Sequence, residues 1–275
     1  YFQIPDSLLN RYMIVVTRYL STPEGMGIFG GEKANEQTIY FEKGGNNTVY
    51  LRSLQYKQDV RNPESMLAKA LAGSNENPIV TAFPIKTINP LTGDIVIEIT
   101  DAFKKDNAMF SLENKEKTER KLTSLADDKS FIENIEPYPI NIEIKTTKTY
   151  TNSTSSSGST TLRLNTSIVL LPKIPMRKRF ADERVGFFAN KYVLYDDDQQ
   201  RAQTKHIIQR YRLEPKDEDL KKYLKGQLVE PKKQIVYYID PATPKKWRPY
   251  LIAGINDWQK AFEAAGFKNA IVGKE

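Results

Sequence analysis

Two long runs of alternating side chains constrain the fold of this chain most strongly. Ile140–Tyr150 and Thr161–Leu171 are rich in β-branched residues, and the polar segment Thr151–Thr160 joins them. Alternation places every second side chain on the same face of a strand, and small polar residues suit a tight connection. The sequence therefore predicts one long antiparallel hairpin, which favours a sheet-based fold.

Shorter runs of the same kind extend this pattern over the first two thirds of the chain. Strands are predicted at Met13–Arg18, Gln37–Lys43, Thr48–Leu54, Pro78–Ile88, Asp94–Thr100, Gly186–Tyr195 and His206–Leu213. Gly and Asn at Gly44–Asn47 tolerate the positive φ of a tight turn, so a second hairpin is predicted there.

A short helix interrupts these strands. Asn62 is the predicted N-cap, Pro63 the first helical position and Gly73 the C-terminal stop. The charged stretch Lys104–Asp128 is predicted to be helical in part.

The last forty residues change character. Ile235–Ile239 is an apolar strand, Ala270–Val272 begins another, and a periodic helix that ends at Gly266 lies between them. These lengths predict a strand–helix–strand crossover. The helix carries one apolar stripe, which we expect to be core because apolar faces at helical period are usually buried; its members are Trp247, Tyr250, Leu251, Gly254, Ile255, Trp258, Phe262 and Ala265.

These patterns predict an α+β fold in two parts. Residues 1–230 form a mainly antiparallel β domain of uncharacterised function, and residues 231–275 form the strand–helix–strand unit. The chain starts at Tyr1 without an initiator Met and ends just as a strand begins, so we expect it to be a piece of a longer protein. No run of apolar residues is long enough for a transmembrane segment.

Composition excludes several kinds of chemistry. The chain has no Cys, one His and a net charge of +7. Thiol catalysis, disulfides and Cys-based zinc sites are therefore absent, and a self-contained zinc hydrolase is disfavoured because it needs two or three imidazoles.

The block from Ile235 to Glu275 resembles the opening of a metzincin-type zinc metallopeptidase domain. More narrowly, the chain is similar to the N-terminal region of large bacterial zinc-dependent metalloproteases. Three further blocks carry this resemblance, namely Gly30–Gln37 (GGEKANEQ), Asp182–Phe188 (DERVGFF) and Leu228–Lys233 (LVEPKK).

The resemblance implies a parent protein that binds zinc and hydrolyses peptide bonds in a secreted, periplasmic or cell-envelope setting. The zinc motif of that family is H-E-x-x-H, in which two imidazoles bind the metal and the glutamate activates water. Residues around His206 read TKHIIQR and do not match it. No catalytic or metal residue is therefore assigned, no cofactor is expected in this fragment, and the fragment is expected to be inactive alone. Its sheet would lack the strands that normally follow, so the surface around Trp258 would be half built.

Four features of the sequence are candidates for local binding sites. His206 could be a lone metal ligand or pH-sensitive group, but an ordinary strand histidine is favoured because it lacks partner ligands. Gly30–Gln37 could bind a ligand through Glu32 or Asn35, but a capped turn is favoured. Asp196–Asp198 lacks the spacing of a calcium loop, so a solvated turn is expected.

The fourth feature is a set of cations that could form a basic surface; its members are Lys173–Arg179, Lys191, Arg201, Lys205, Arg210 and Arg212. Acidic residues nearby dilute that charge, so no nucleic-acid partner is expected.

Two functions are consistent with these observations. The chain could be the non-catalytic portion of a zinc metallopeptidase, acting as a pro-region, a chaperone or a substrate-presenting module, with the rest of the catalytic domain and a peptide substrate as partners. Alternatively, it could be an envelope binding module that recognises glycan or peptide through exposed aromatic rings. Substrate-binding residues are not identified by the sequence.

Overall fold

The computed structural model describes all residues from Tyr1 to Glu275, which divide into two compact units. Unit 1 comprises residues 1–175 and 192–204, and unit 2 comprises residues 176–191 and 205–275. Strands hold 39% of the residues and helices 18%. The α+β class with predominantly antiparallel strands is therefore confirmed, while the predicted boundary after Glu230 stays a prediction.

Unit 1 is built on a curled, half-barrel sheet of ten strands. The strands are β1 (Phe2–Ile4), β2 (Met13–Ser21), β3 (Lys33–Lys43), β4 (Thr48–Ser53), β6 (Ile79–Ile88), β7 (Ile95–Ile97), β8 (Leu122–Leu125), β9 (Phe131–Pro137), β10 (Asn141–Asn152) and β11 (Ser159–Leu170), with β5 (Gln58–Val60) outside this sheet. Their spatial order is β1-β7-β6-β4-β3-β2-β11-β10-β8, and β9 also pairs with β10. All of the registered pairs in this sheet are antiparallel.

The predicted long hairpin is confirmed. β10 and β11 pair in register from Asn141 opposite Val169 to Thr151 opposite Ser159. The alternation places Ile144, Leu162 and Leu164 in the core, as a half-buried strand requires. The Gly44–Asn47 hairpin is also confirmed, with positive φ at Asn46 and Asn47.

Short helices of unit 1 are α1 (Met66–Ser74), α2 (Thr100–Lys104) and α3 (Asn114–Glu119). The predicted start of α1 is wrong. The side chain of Asn62 accepts a hydrogen bond from the N–H of Glu64 and closes a turn, and Ser65 is the N-cap because its Oγ accepts from the N–H of Ala68. The true cap lies three residues later, where a hydroxyl reaches a free N–H of the first turn.

A second, three-stranded sheet has the order β13-β12-β5, where β12 is Ala189–Tyr195 and β13 is Gln203–Ile208. The first of the two strands predicted around Asp196–Asp198 is present but begins three residues later than Gly186. The second was predicted at His206–Leu213, whereas β13 begins three residues earlier and ends at Ile208. Within unit 1, Val193–Tyr195 pair in parallel with Gln58–Val60.

Unit 2 contains the predicted strand–helix–strand crossover. β14 (Ile235–Tyr238) and β15 (Ile271–Lys274) pair in parallel, and α5 (Arg248–Asp257) and α6 (Gln259–Ala264) connect them, with α4 (Leu220–Leu224) before β14. The single predicted helix is interrupted at Trp258, whose N–H bonds to the carbonyl of Ile255 in a tighter turn. Gly266 has φ +93 and ends α6, as predicted.

The predicted burial of the helix stripe is wrong. Trp247 is 52% exposed, Tyr250 71% and Trp258 64%, and only a few members such as Ile255 and Phe262 are half-buried. Periodicity fixed which residues share a face, but burial needs a second surface, and a two-stranded sheet covers only part of this helix.

Candidate functional site

A groove of about 1060 Å³ runs along α5 and α6 in unit 2. Its walls are mainly aromatic and aliphatic, and four tyrosines, one tryptophan and three phenylalanines line it; they are Tyr211, Tyr223, Tyr237, Tyr250, Trp258, Phe187, Phe262 and Phe267. Ligand sites in proteins are commonly concave, apolar and of this size. The groove is therefore the first candidate for a functional surface.

Helical spacing positions one wall of the groove. Tyr250, Gly254 and Trp258 lie four residues apart along α5 and its end, so they share a face. An added Cβ at Gly254 would have no atom within 4 Å. The groove is therefore open at this point of the helix.

A pair of tyrosines also lines the groove. The hydroxyls of Tyr211 and Tyr237 are hydrogen-bonded to each other, and this bond raises the pKa of Tyr211 to about 12. The Tyr211 ring also stands edge-on to Phe262, with the ring centroids 6.4 Å apart. These contacts fix the ring of Tyr211, so part of the groove is preformed.

Two guanidinium groups give the groove its charge. Arg179 and Arg210 line it beside Gln209, and none of the lining residues is Asp or Glu. Arg210 donates one N–H to the carbonyl oxygen of Arg177 at 2.8 Å, which leaves further donors of its fork free. These arginines can bind a carboxylate, because a guanidinium offers paired N–H donors to it.

A buried lysine forms the second polar centre, in the core of unit 1. Lys148 on β10 is fully buried, and its Nζ donates to Ser111 Oγ and to the carbonyl oxygen of Lys105, both at 2.8 Å. Burial lowers its pKa to about 8. Nearby, Asp106 accepts hydrogen bonds from the Tyr150 hydroxyl at 3.0 Å and from Lys117 Nζ at 2.8 Å.

The burial of Lys148 and Ser111 decides whether this pair can act in catalysis. A neutral amine next to a serine hydroxyl could accept the serine proton. Ser111 and Lys148 are both fully buried, however, so no substrate reaches the hydroxyl. The contacts instead attach the segment around Lys105 and Ser111 to the sheet, and Asn35 adds to this attachment by donating to the carbonyl oxygens of Ala108 and Ser111.

The candidate sites named from the sequence have the structural roles expected of a surface strand and a capped turn. His206 lies on β13 with an exposed side chain. In the Gly30–Gln37 block, Gly31 has φ +95 and Glu32 accepts the N–H of Phe29, which is the predicted capped turn. The same block continues into β3, where Asn35 is buried.

The acidic turn and the basic residues are likewise accounted for in part. Asp196 forms an ion pair with Arg61 at 2.7 Å within unit 1, and its Oδ1 accepts a long hydrogen bond from the N–H of Asp198 at 3.5 Å. Of the cations, Arg212 pairs with Glu214, whereas Arg179 and Arg210 belong to the groove.

Sequence reasoning missed both centres. The alternation that places Ile144 and Tyr150 in the core also places Lys148 there, so the parity of β10 was a usable signal. For the groove, the helix stripe and the cations Arg179 and Arg210 were noted separately, but no pattern in the sequence places these segments side by side.

No group of three or more His, Cys, Asp or Glu side chains is arranged to hold a metal ion. No helix combines the length and the apolar character that are needed to cross a membrane.

Comparison with known proteins gives one match. The family model described as a domain of unknown function, DUF5117, matches residues 31–216, which is more than half of the chain. The matched range includes most of unit 1 and the arginine wall of the groove, and it ends before β14. No curated protein and no solved structure matches.

Proposed function

The chain belongs to the family described as a domain of unknown function, DUF5117, and from that premise we propose that it is the non-catalytic N-terminal portion of a zinc-dependent metallopeptidase. In this proposal, unit 1 is a supporting β domain. The strand–helix–strand of unit 2 is the first layer of the metzincin-like catalytic domain. The parent protein hydrolyses peptide bonds outside the membrane, in a secreted or cell-envelope setting.

One observation carries the proposal. β14 and β15 pair in parallel through the crossover of α5 and α6, which is the order of elements that the resemblance implies for the opening of such a domain. Parallel sheets are normally covered on both faces, whereas this helix presents Tyr250 and Trp258 to solvent. A surface of this kind suits an element that works together with another polypeptide segment.

The chemistry of the parent is assigned to residues outside this chain. The single imidazole, His206, lies exposed on a strand, and a hydrolytic zinc site uses two or three such ligands together with a carboxylate base. Zinc is therefore proposed for the parent and not for these residues. The role of the chain is to support, inhibit or present substrate.

The test uses the full-length parent. Its peptidase activity is expected to require zinc and to disappear when the glutamate of a downstream H-E-x-x-H motif is replaced by glutamine. The same parent with Lys260→Gln, an exposed change on α6, serves as the control and keeps its activity. Robust peptidase activity from these 275 residues alone contradicts the proposal.

A second candidate function is an envelope binding module for glycan or peptide. The aromatic groove favours it, because rings such as Tyr250 and Trp258 provide a large contact area. The charged side chains that line the groove are Arg179 and Arg210, which suit a carboxylate of a peptide better than the neutral hydroxyls of a sugar. Within this candidate, peptide is therefore favoured over glycan.

A further inference from the structure

We infer that the groove along α5 and α6 binds a peptide segment that carries apolar side chains and at least one carboxylate, with the carboxylate against Arg179 and Arg210. The inference deepens the proposed function, because such a peptide would be a presented substrate. Only the role of the peptide as a substrate rests on the proposed function. Binding of the peptide is measured separately from its cleavage.

Charge is the first argument for this occupant. Arg179 and Arg210 line the groove, and no lining residue is acidic. A cation on a partly apolar surface is incompletely hydrated, so a carboxylate that approaches it forms charge-assisted hydrogen bonds. Basic or neutral peptides lack this contribution, and basic ones are repelled.

The shape and lining of the groove are the second argument. The lining combines aliphatic side chains such as Leu251 and Ile255 with aromatic rings. Tyr250 and Trp258 are largely exposed to water. A fatty-acid tail requires a site that encloses it, whereas a peptide with spaced apolar side chains fits an open groove with separate contact points.

Preorganisation is the third argument. The hydroxyl bond between Tyr211 and Tyr237 and the edge contact with Phe262 hold one wall in place. Tyr223 is held against Phe267, with the ring centroids 5.0 Å apart. Rings that are already fixed lose little conformational entropy when a peptide binds.

Intrinsic fluorescence provides the measurement. Trp258 lines the groove and Trp247 does not, so Trp247→Phe leaves a single reporter in the full chain. The probes are two nine-residue peptides of alternating leucine or phenylalanine and polar residues. They are identical except that one has two aspartates where the other has two asparagines. We expect a saturable blue shift with the aspartate peptide and binding at least tenfold weaker with the asparagine peptide.

Two groups of variants connect that signal to the groove. Arg179→Gln together with Arg210→Gln should weaken the aspartate peptide at least tenfold and leave the asparagine peptide unchanged. Gly254→Leu should abolish binding of both, because Gly254 lines the groove and a Cβ there has no atom within 4 Å, so the larger side chain takes up space in the groove. Leucine also favours a helix more than glycine does, so this variant is expected to fold. Lys260→Gln removes an exposed charge from α6 outside the groove and should change nothing.

Several results overturn the inference. These are no saturable shift, equal binding of the two peptides, or binding that Gly254→Leu leaves intact. Tighter binding of a fatty acid such as palmitate than of the aspartate peptide assigns the groove to a different ligand. Concentration-dependent dimerisation that Gly254→Leu abolishes assigns it to a second copy of the chain. None of these results bears on zinc dependence in the parent, so a failure here is distinct from a failure of the proposed function.

Discussion

At the scale of single residues, Lys148 shows how position overrides residue type. A lysine amine usually remains in water, but the parity of β10 directs this one into the core between Thr146 and Tyr150. Its hydrogen bonds to Ser111 and Lys105 compensate part of the cost of removing the charge from water. The remaining cost is reflected in the lowered pKa of its amine.

The lowered pKa of Lys148 predicts an effect of pH on stability. The amine titrates near 8 in the folded chain and at its ordinary 10.5 when unfolded, so between these values the unfolded state binds more protons. The free energy of unfolding therefore rises with pH in this window, by about 2 kcal/mol between pH 7.5 and 9.5. Urea unfolding of the wild type and of Lys148→Met across this range checks it.

Lys148→Met provides the comparison because methionine has a similar length and no charge. The rise in unfolding free energy should be present in the wild type and smaller by about 2 kcal/mol in the variant. The tyrosines with raised pKa, which are Tyr19, Tyr138, Tyr150 and Tyr211, are common to both proteins and cancel. Identical pH profiles would show that Lys148 titrates normally.

At the scale of elements, alternation and turn residues were sufficient for most of the sheet. The β10–β11 hairpin and the turn at Gly44–Asn47 depend on side chains close in sequence, and both were predicted. β9 was not predicted, because its charged residues hide the alternation, and its Glu133 is instead held by Arg163 and Thr147. Contacts of this kind between distant segments have no local signature.

The same distinction explains the helix of unit 2. Its period and its end at Gly266 are local properties and were predicted. The exposure of Trp258 depends on which surface covers the helix, and the sequence of the helix does not specify that. The groove was missed for the same reason, since its cationic wall at Arg179 and Arg210 comes from segments far from α5.

The C-terminal end of α6 provides a prediction at this scale. Gly266 has φ +93, and an added Cβ would lie 2.7 Å from Cε2 of Tyr223. Gly266→Ala should lower the free energy of unfolding by about 1–2 kcal/mol from the backbone conformation alone, and further because the Tyr223 ring must move. Gly226 has φ +77 with no atom near its Cβ position, so Gly226→Ala isolates the backbone contribution.

Urea unfolding of the two glycine variants measures this difference. The account expects Gly266→Ala to be the less stable of the two and to lose the packing of Tyr223 against Phe267. If both variants lose the same free energy of unfolding, then displacing the Tyr223 ring costs nothing and this prediction is wrong.

At the scale of the whole molecule, the two units differ in what they offer. Unit 1 places its unusual polar groups, Ser111 and Lys148, in a closed core. Unit 2 presents its aromatic side chains around an open groove with an unopposed positive charge. We therefore propose support as the role of the first unit and recognition as the role of the second, and the proposed hydrolysis belongs to the parent protein.

One experiment tests this assignment most directly. The chain with Trp247→Phe is incubated with zinc and the aspartate peptide, the fluorescence of Trp258 is recorded, and the peptide is then examined by mass spectrometry. The account predicts a saturable shift and recovery of the intact peptide. Cleavage of the peptide by the isolated chain, or an unchanged spectrum at saturating peptide, would contradict it.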